Sequence, residues 1–408
     1  MKRSTKLYNR LLVTVFLALA LTGCGGPETS PMDHYAEGLV HGQQGRFAEA
    51  RSEFQAALAG DPAMTPAQGG LRIAEDALND RVSREIAVLL YTGAIHGRNG
   101  KFFDELVAYD KAAALQPPYF LTHVFRGNFY SNKKAYLKAI PDYLEAIRLD
   151  STYARSYDNL ALCYQQKGQY DQALPLHNRA LEKDPNLFEA YYHRAYTFFS
   201  LGDSARAIVD CRQALALYPG FAEAHYQLGI IYSAGGDYQQ AITSFTRAIE
   251  LGLDTRDSFY NRAVAYAASG DDHRAVGDYT RALAEDDRYV PAYDNRGNSY
   301  TRLGDYERAI SDYTRAVTLN PQFSASYFNR GVAYFNRDEY DLAIADYEKV
   351  IELNPGDGEA YFNLARTCET AGRSREAIAA YQRFIDKAPA EFAEHKAYAR
   401  ERMAALKE

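Results

Sequence analysis

Four cysteines, nine histidines and a recurring asparagine are the side chains here whose chemistry could matter. The histidines (His34, His41, His96, His123, His177, His193, His225, His273 and His395) are scattered. None falls in a His-Glu-x-x-His run, where two rings one helical turn apart would share a zinc ion. No paired-cysteine motif, phosphate loop or Gly-x-Ser-x-Gly elbow occurs. A chain without a nucleophile–base pair, a metal set or a phosphate cradle is expected to catalyse nothing and to need no cofactor. Cys163, Cys211 and Cys368 lie far apart and read as small apolar core residues, which makes a disulfide framework a poor reading.

The elements that carry these side chains repeat. Segments starting at Ile86, Phe120, Ala154, Phe188, Ala222, Arg256, Val290, Ser324 and Gly358 follow one another every 34 residues, so residues 86–391 hold nine contiguous copies. A separate copy fits residues 31–64. Counting from the start of each copy, position 8 is small (Gly127, Ala161, Ala195, Gly229, Gly297) and position 20 is Ala (Ala139, Ala173, Ala207, Ala241, Ala309). Position 11 is aromatic (Tyr130, Phe198, Tyr266) and position 24 often so (Tyr143, Phe245, Tyr279, Tyr313). Positions 4, 8 and 11 share one face of a first helix, and positions 20, 24 and 27 one face of a second. Small residues let the two helices approach, and the rings fill the space beside them. Gly at position 15 ends the first helix, and Pro near position 32 closes the second. This accounts for much of an excess of 34 tyrosines in a chain with no tryptophan.

This pattern resembles the tetratricopeptide repeat family, with the usual Trp at position 4 mostly replaced by Tyr, Phe or His, as at Tyr157, His225, Phe259 and Tyr327. The resemblance implies an all-α, right-handed α-solenoid (superhelix) of about ten repeats that ends in a C-terminal capping helix at 392–408, as a solenoid end requires. Two places depart from the pattern. The copy at 86–119 has His96 at position 11 and Glu105 where Ala recurs. Residues 65–85 are an insertion, in which Leu71, Ala74 and Leu78 recur at helical spacing and predict a connecting helix.

The N-terminus reads as a targeting signal. Lys2, Arg3, Lys6 and Arg10 precede an apolar run of eleven, Leu11 to Leu21. Spanning a bilayer takes about 20 residues, so the run suits a secretory signal better than an uncleaved anchor. Leu21-Thr22-Gly23-Cys24 resembles the lipobox of bacterial lipoproteins. That resemblance implies cleavage after residue 23, acylation of Cys24 and a flexible tether over 24–30. Gly25, in place of Asp, resembles an outer-membrane address, so the expected location is the bacterial envelope, lipid-anchored and facing the periplasm. Removing the four bases takes the formal net charge from −7 to −11, which disfavours a nucleic-acid partner.

In the family resembled, the first helices line the concave face. Position 6 there reads Asn159, His193, Gln227, Asn261, Asn295, Asn329 and Asn363. Amides both donate and accept, so such a row can pair with the backbone of an extended peptide. It resembles the asparagine ladder of the O-linked N-acetylglucosamine transferases. Position 5 adds Tyr192, Tyr226, Tyr260, Phe328 and Phe362, interrupted by Asp158 and Asp294, and is expected to present exposed aromatics. Position 2 adds Glu189, Glu223, Asp257 and Glu359, which favours a basic or neutral ligand segment. No Lys stands at position 5, so the carboxylate-binding mode of chaperone-binding members is not expected. The expected partners are other proteins, as extended peptide segments or as subunits of a pilus, secretion or exopolysaccharide-export complex. An adaptor for cell-wall hydrolases or proteases and a glycan-binding module are the alternatives.

Overall fold

Each copy becomes a helix pair because two amphipathic stretches are separated by a forced chain reversal. In the copy that starts at Val290 the helices are Val290–Arg302 and Tyr306–Leu319. Between them Gly304 takes φ 77°, a left-handed conformation that costs glycine little. Asp305 follows, and its carboxylate accepts from the Arg308 amide at 3.1 Å, capping the second helix. The same Gly-Asp device recurs at Gly202-Asp203, Gly236-Asp237 and Gly270-Asp271. Lys134 and Asp338 hold the left-handed conformation as non-glycines, both at φ 59°.

The computed structural model describes residues 29–389 and 392–407. Among them are 22 helices and no strand, so the chain is all-α. Cys24, its signal sequence and most of the tether lie outside the described residues. No described helix is long and apolar enough to cross a membrane. The chain divides into two compact units, one running to Cys163 and the other starting at Tyr164.

Within each unit the core is built from one recurring contact. A Cβ added to Gly297 would stand 2.6 Å from the Tyr313 ring, and one on Gly229 would stand 2.5 Å from Phe245. The ring at position 24 therefore lies directly on bare backbone at position 8. Tyr143 on Gly127 and Tyr347 on Gly331 are buried in the same way, whereas the equally buried Tyr279 and Tyr381 have Ala263 and Ala365 at position 8 of their copies. Where position 24 is smaller (His177, Cys211), position 8 is alanine (Ala161, Ala195), so the extra methyl fills part of the space that a ring leaves. Cys163, Cys211 and Cys368 are buried free thiols. In the departing copy at 86–119, Glu105 is accommodated by Gly97, whose hydrogen faces the carboxyl group.

The insertion forms the helix Thr65–Leu78, and of the three residues that mark its helical spacing, Leu71, Ala74 and Leu78, only Ala74 is fully buried. Ala67, Gly70, Ile73 and Ala74 point inward, while Leu71 is half-buried and Leu78 exposed. The reason is the company the helix keeps: the Phe54 ring fills the space where a Cβ at Gly70 would be, and Tyr91 donates its hydroxyl to the Gly70 carbonyl at 2.8 Å. At the other end, the helix Ala393–Ala405 caps the last pair through buried Ala399 and Met403. Arg402 is paired there with Glu369, which also accepts from the Tyr381 hydroxyl at 2.6 Å.

A second contact staples neighbouring copies. Arg262, at position 7, donates to both oxygens of Asp278 at position 23 of its own copy, at 2.6 and 2.9 Å. Its remaining nitrogen reaches back to Thr246 of the preceding copy at 3.0 Å. Arg126, Arg194, Arg296 and Arg330 repeat the arrangement with Asp142, Asp210, Asp312 and Asp346. Burial works against the Arg262 charge, but the hydrogen bonds and field of Asp278 outweigh it and raise its pKa.

Two stability measurements follow. Replacing Lys134 by Gly should raise the free energy of unfolding by about 1 kcal/mol, read from urea denaturation, since the left-handed conformation strains other residues. Arg262→Leu should cost about 3–5 kcal/mol, because it strands a buried carboxylate. Adding Asp278→Ser, which reproduces the Leu228 and Ser244 of the preceding copy, should recover most of that loss in urea unfolding.

Candidate protein-binding face

First helices of consecutive copies lie side by side, so position 5 of one copy faces position 6 of the next, 35 residues on. The structure uses that meeting. Asn261 donates its side-chain amide to the Tyr226 hydroxyl at 2.6 Å, and Asn295 donates to Tyr260 at 2.9 Å. Asn329 meets Asp294, in place of a tyrosine, at 3.3 Å. In the N-terminal unit Asn159 donates to Asn128 at 3.0 Å, and Asn128 also accepts from the Tyr143 hydroxyl at 2.7 Å. Asn363 follows Phe328, which has no hydroxyl, and its side-chain amide has no protein partner among the described residues. Asn159, Asn261, Asn295 and Asn329 thus each give one N–H to the copy before, which leaves a second N–H and the carbonyl oxygen of each amide.

Gln227 departs further, being buried. His193 is half-buried, its ring 6.1 Å from that of His177 and 5.4 Å from Tyr192.

The position-5 aromatics are likewise half-buried, which corrects the expectation of exposed rings. Tyr226 packs on Phe245 at 5.5 Å between centroids, Tyr260 on Tyr279 at 5.8 Å and Phe328 on Tyr347 at 5.7 Å. Tyr192 packs on Phe221 at 5.0 Å. Phe362 is covered by the capping helix, with His395 at 5.1 Å and Tyr398 at 5.9 Å. A ring at position 5 reaches the ring at position 24 of its own second helix, so its inner edge belongs to the core and only its outer edge and hydroxyl reach the surface. Burial, with a contribution from Glu223, pushes the Tyr192 phenol up to about 12, and burial with neighbouring Tyr289 does the same for Tyr260. Burial and Asp257 raise the Tyr226 phenol.

Those acids are the position-2 residues of the following copies. Glu223, Asp257 and Glu359 are exposed, and Glu189 is half-buried. Each of Tyr192 and Tyr226 thus stands beside an acid of the next copy, and at Tyr226 a phenol edge, the Asn261 amide and the Asp257 carboxylate, itself paired with Arg256 at 2.8 Å, come together. The N-terminal unit has a cleft of about 340 Å³ lined in part by Phe125, Asn128, Tyr143, Arg155 and Asn159. The expected row of amides could not reveal it, because three residues of the insertion, Thr65, Pro66 and Gly69, form its wall.

Family models described as tetratricopeptide repeat match residues 34–56, 120–186, 188–221, 222–252, 324–357 and 346–379. One described as TPR repeat matches 297–338. The chain belongs to the tetratricopeptide repeat family. Its helix pairs accordingly make it a protein-interaction scaffold. Part of a tetratricopeptide repeat protein from Cytophaga hutchinsonii is similar in structure, with TM-score 0.50 and 16% identity, covering 58% of this chain and 98% of that one. A tetratricopeptide repeat protein from Parabacteroides merdae gives TM-score 0.45 and 18% identity over 62% and 99% of the two chains. YrrB, a repeat protein with an unusual peptide-binding site, gives TM-score 0.43 and 22% identity over 45% and 95%. No curated protein matches the chain.

Asp294 offers a pH test of this face. It is buried, accepts from Ser326 at 2.6 Å and from Asn298 at 3.3 Å, and its carboxyl is pushed above its ordinary value by burial, against those hydrogen bonds. The folded chain therefore holds this proton more tightly than the unfolded chain, and this group's contribution to stability falls as pH rises. Relative to Asp294→Asn, the natural chain should gain stability as pH is lowered through the carboxyl range, read from urea midpoints at successive pH values.

Proposed function

We propose that this protein is a non-catalytic scaffold, anchored by lipid on Cys24 in the bacterial envelope, that binds extended segments of partner proteins on the face made by its first helices and so assembles an envelope complex. The observation that carries the reading is the repeated pairing of a position-5 phenol edge with the position-6 amide of the next copy, Tyr226 with Asn261 and Tyr260 with Asn295. It recurs at a fixed spacing along a row of helices, which suits an extended ligand that meets equivalent groups copy after copy. The acids at Glu223, Asp257 and Glu359 favour a segment carrying Lys or Arg. Anchoring rests on the resemblance of Leu21 to Cys24 to a lipobox, and several acyl chains on one residue would hold the protein stably. The outer membrane facing the periplasm is the location that Gly25 favours.

The test has two arms. Labelled palmitate should enter the natural chain and not Cys24→Ser. A photo-crosslinking residue placed at Glu223 or Asp257 should capture a defined envelope protein. Capture by a probe at Glu359 should fall when Glu223→Gln and Asp257→Gln are combined. Equal capture from Val209, exposed on a second helix, would place the contact elsewhere and overturn the groove reading.

A further inference from the structure

Among the described residues, the two most exposed large apolar side chains are Phe103 at 79% and Leu137 at 73%. They occupy the same position, 18, of consecutive copies at the start of their second helices. The next seven copies put Asp, Ala, Gln, His, Glu, Asp and Arg there, so the apolar choice is confined to this pair. Phe102 beside them is also exposed.

Charge changes sign at the same place. Five of the chain's 13 lysines fall between 101 and 138, and none falls between 184 and 348, in a protein that is acidic as a whole. Lys101, Lys133, Lys134 and Lys138 are exposed. None has a carboxylate within ion-pair distance among the described residues. Lys133 sets its ammonium 3.0 Å from the centre of the Phe102 ring, joining the turns of the two copies. Glu105 is half-buried, hydrogen-bonded to Tyr109 and within the field of Lys133, and Asp104 is an exposed acid nearby.

We propose that this patch is a membrane-docking surface that rests on an anionic lipid bilayer. Phe103 and Leu137 enter the boundary between headgroups and acyl chains, while the lysines meet the phosphates. Three features favour lipid over an acidic protein. The apolar groups protrude, where a rigid partner would need a matching recess. The ammonium groups sit on flexible stems without fixed hydrogen-bond geometry. A fluid interface accepts both at once. The proposal stands apart from the groove. It gains one geometric point from the anchor proposed above: residues 24–30 of this same unit reach about 25 Å at most, which would hold the patch near the bilayer.

The test uses the absence of tryptophan. In the full chain, Phe103→Trp supplies a single reporter, and the control is Val209→Trp in the other unit. Both are mixed with phosphatidylcholine vesicles that contain or lack about 30% phosphatidylglycerol, with brominated acyl chains as the quencher. The Phe103→Trp emission should shift to the blue and be quenched only with the anionic lipid, and the control should not respond. Lys133→Glu with Lys134→Glu should weaken the response about tenfold or more, given the attraction each lysine contributes near such a surface. A Phe103→Trp reporter left unquenched in anionic vesicles overturns the proposal, as does equal quenching in neutral ones. Quenching reports residue 103 alone, so attachment through the N-terminus cannot imitate it, and failed palmitate labelling would sink the anchor while leaving the patch intact.

Discussion

The contact on which the rest depends is the second-helix side chain, most often an aromatic ring, laid on a glycine or alanine of the first helix. Two helices pack at a distance set by the side chains between them. With Gly297 under Tyr313 and Gly229 under Phe245, that spacer is a ring lying on bare backbone. The close approach fixes how one pair stacks on the next, and so where position 5 of one copy meets position 6 of its successor. The Tyr226–Asn261 and Tyr260–Asn295 hydrogen bonds are consequences of that spacing. The surface is therefore made by the core: the ring of Tyr260 that shows its edge outside rests on Tyr279 inside.

The arginine clasp adds a second requirement, in charge this time. A buried ion pair is worth little against a well-packed apolar pair, but half of one is costly. The chain respects this copy by copy. Arg at position 7 comes with Asp at position 23 in five copies, whereas Leu160, Leu228 and Leu364 come with Leu176, Ser244 and Ala380. Neither partner occurs without the other.

Much of this architecture was legible in the residues. A 34-residue period with small, aromatic and glycine positions states a helix pair and its family, because each offset answers a separate steric demand. The Arg–Asp pairing was legible too, 16 residues apart and present or absent together, but it is invisible to a search that follows apolar offsets alone. The engagement of the amides was not legible, because it depends on which groups of two copies come face to face. The burial of Gln227 and the covering of Phe362 by the capping helix have the same origin. In the insertion, Leu71, Ala74 and Leu78 marked a helix, and the rings of Phe54 and Tyr91 select the side bearing Ala67, Gly70 and Ala74 as its buried face. Tertiary neighbours decided which face was buried.

The uneven distribution of the clasp also sets the mechanics of the array. Arg262, Arg296 and Arg330 follow one another without a gap, each tying three helices, whereas the copies starting at Ala222 and Gly358 have only apolar contact at that point. In a nearest-neighbour structure, elastic compliance collects at the joints with the fewest directional bonds. The run from Arg256 to Leu353 is then a rigid rod between softer hinges. A ligand lying along it meets a ruler with fixed graduations, while one that overruns its ends can bend the scaffold to follow it.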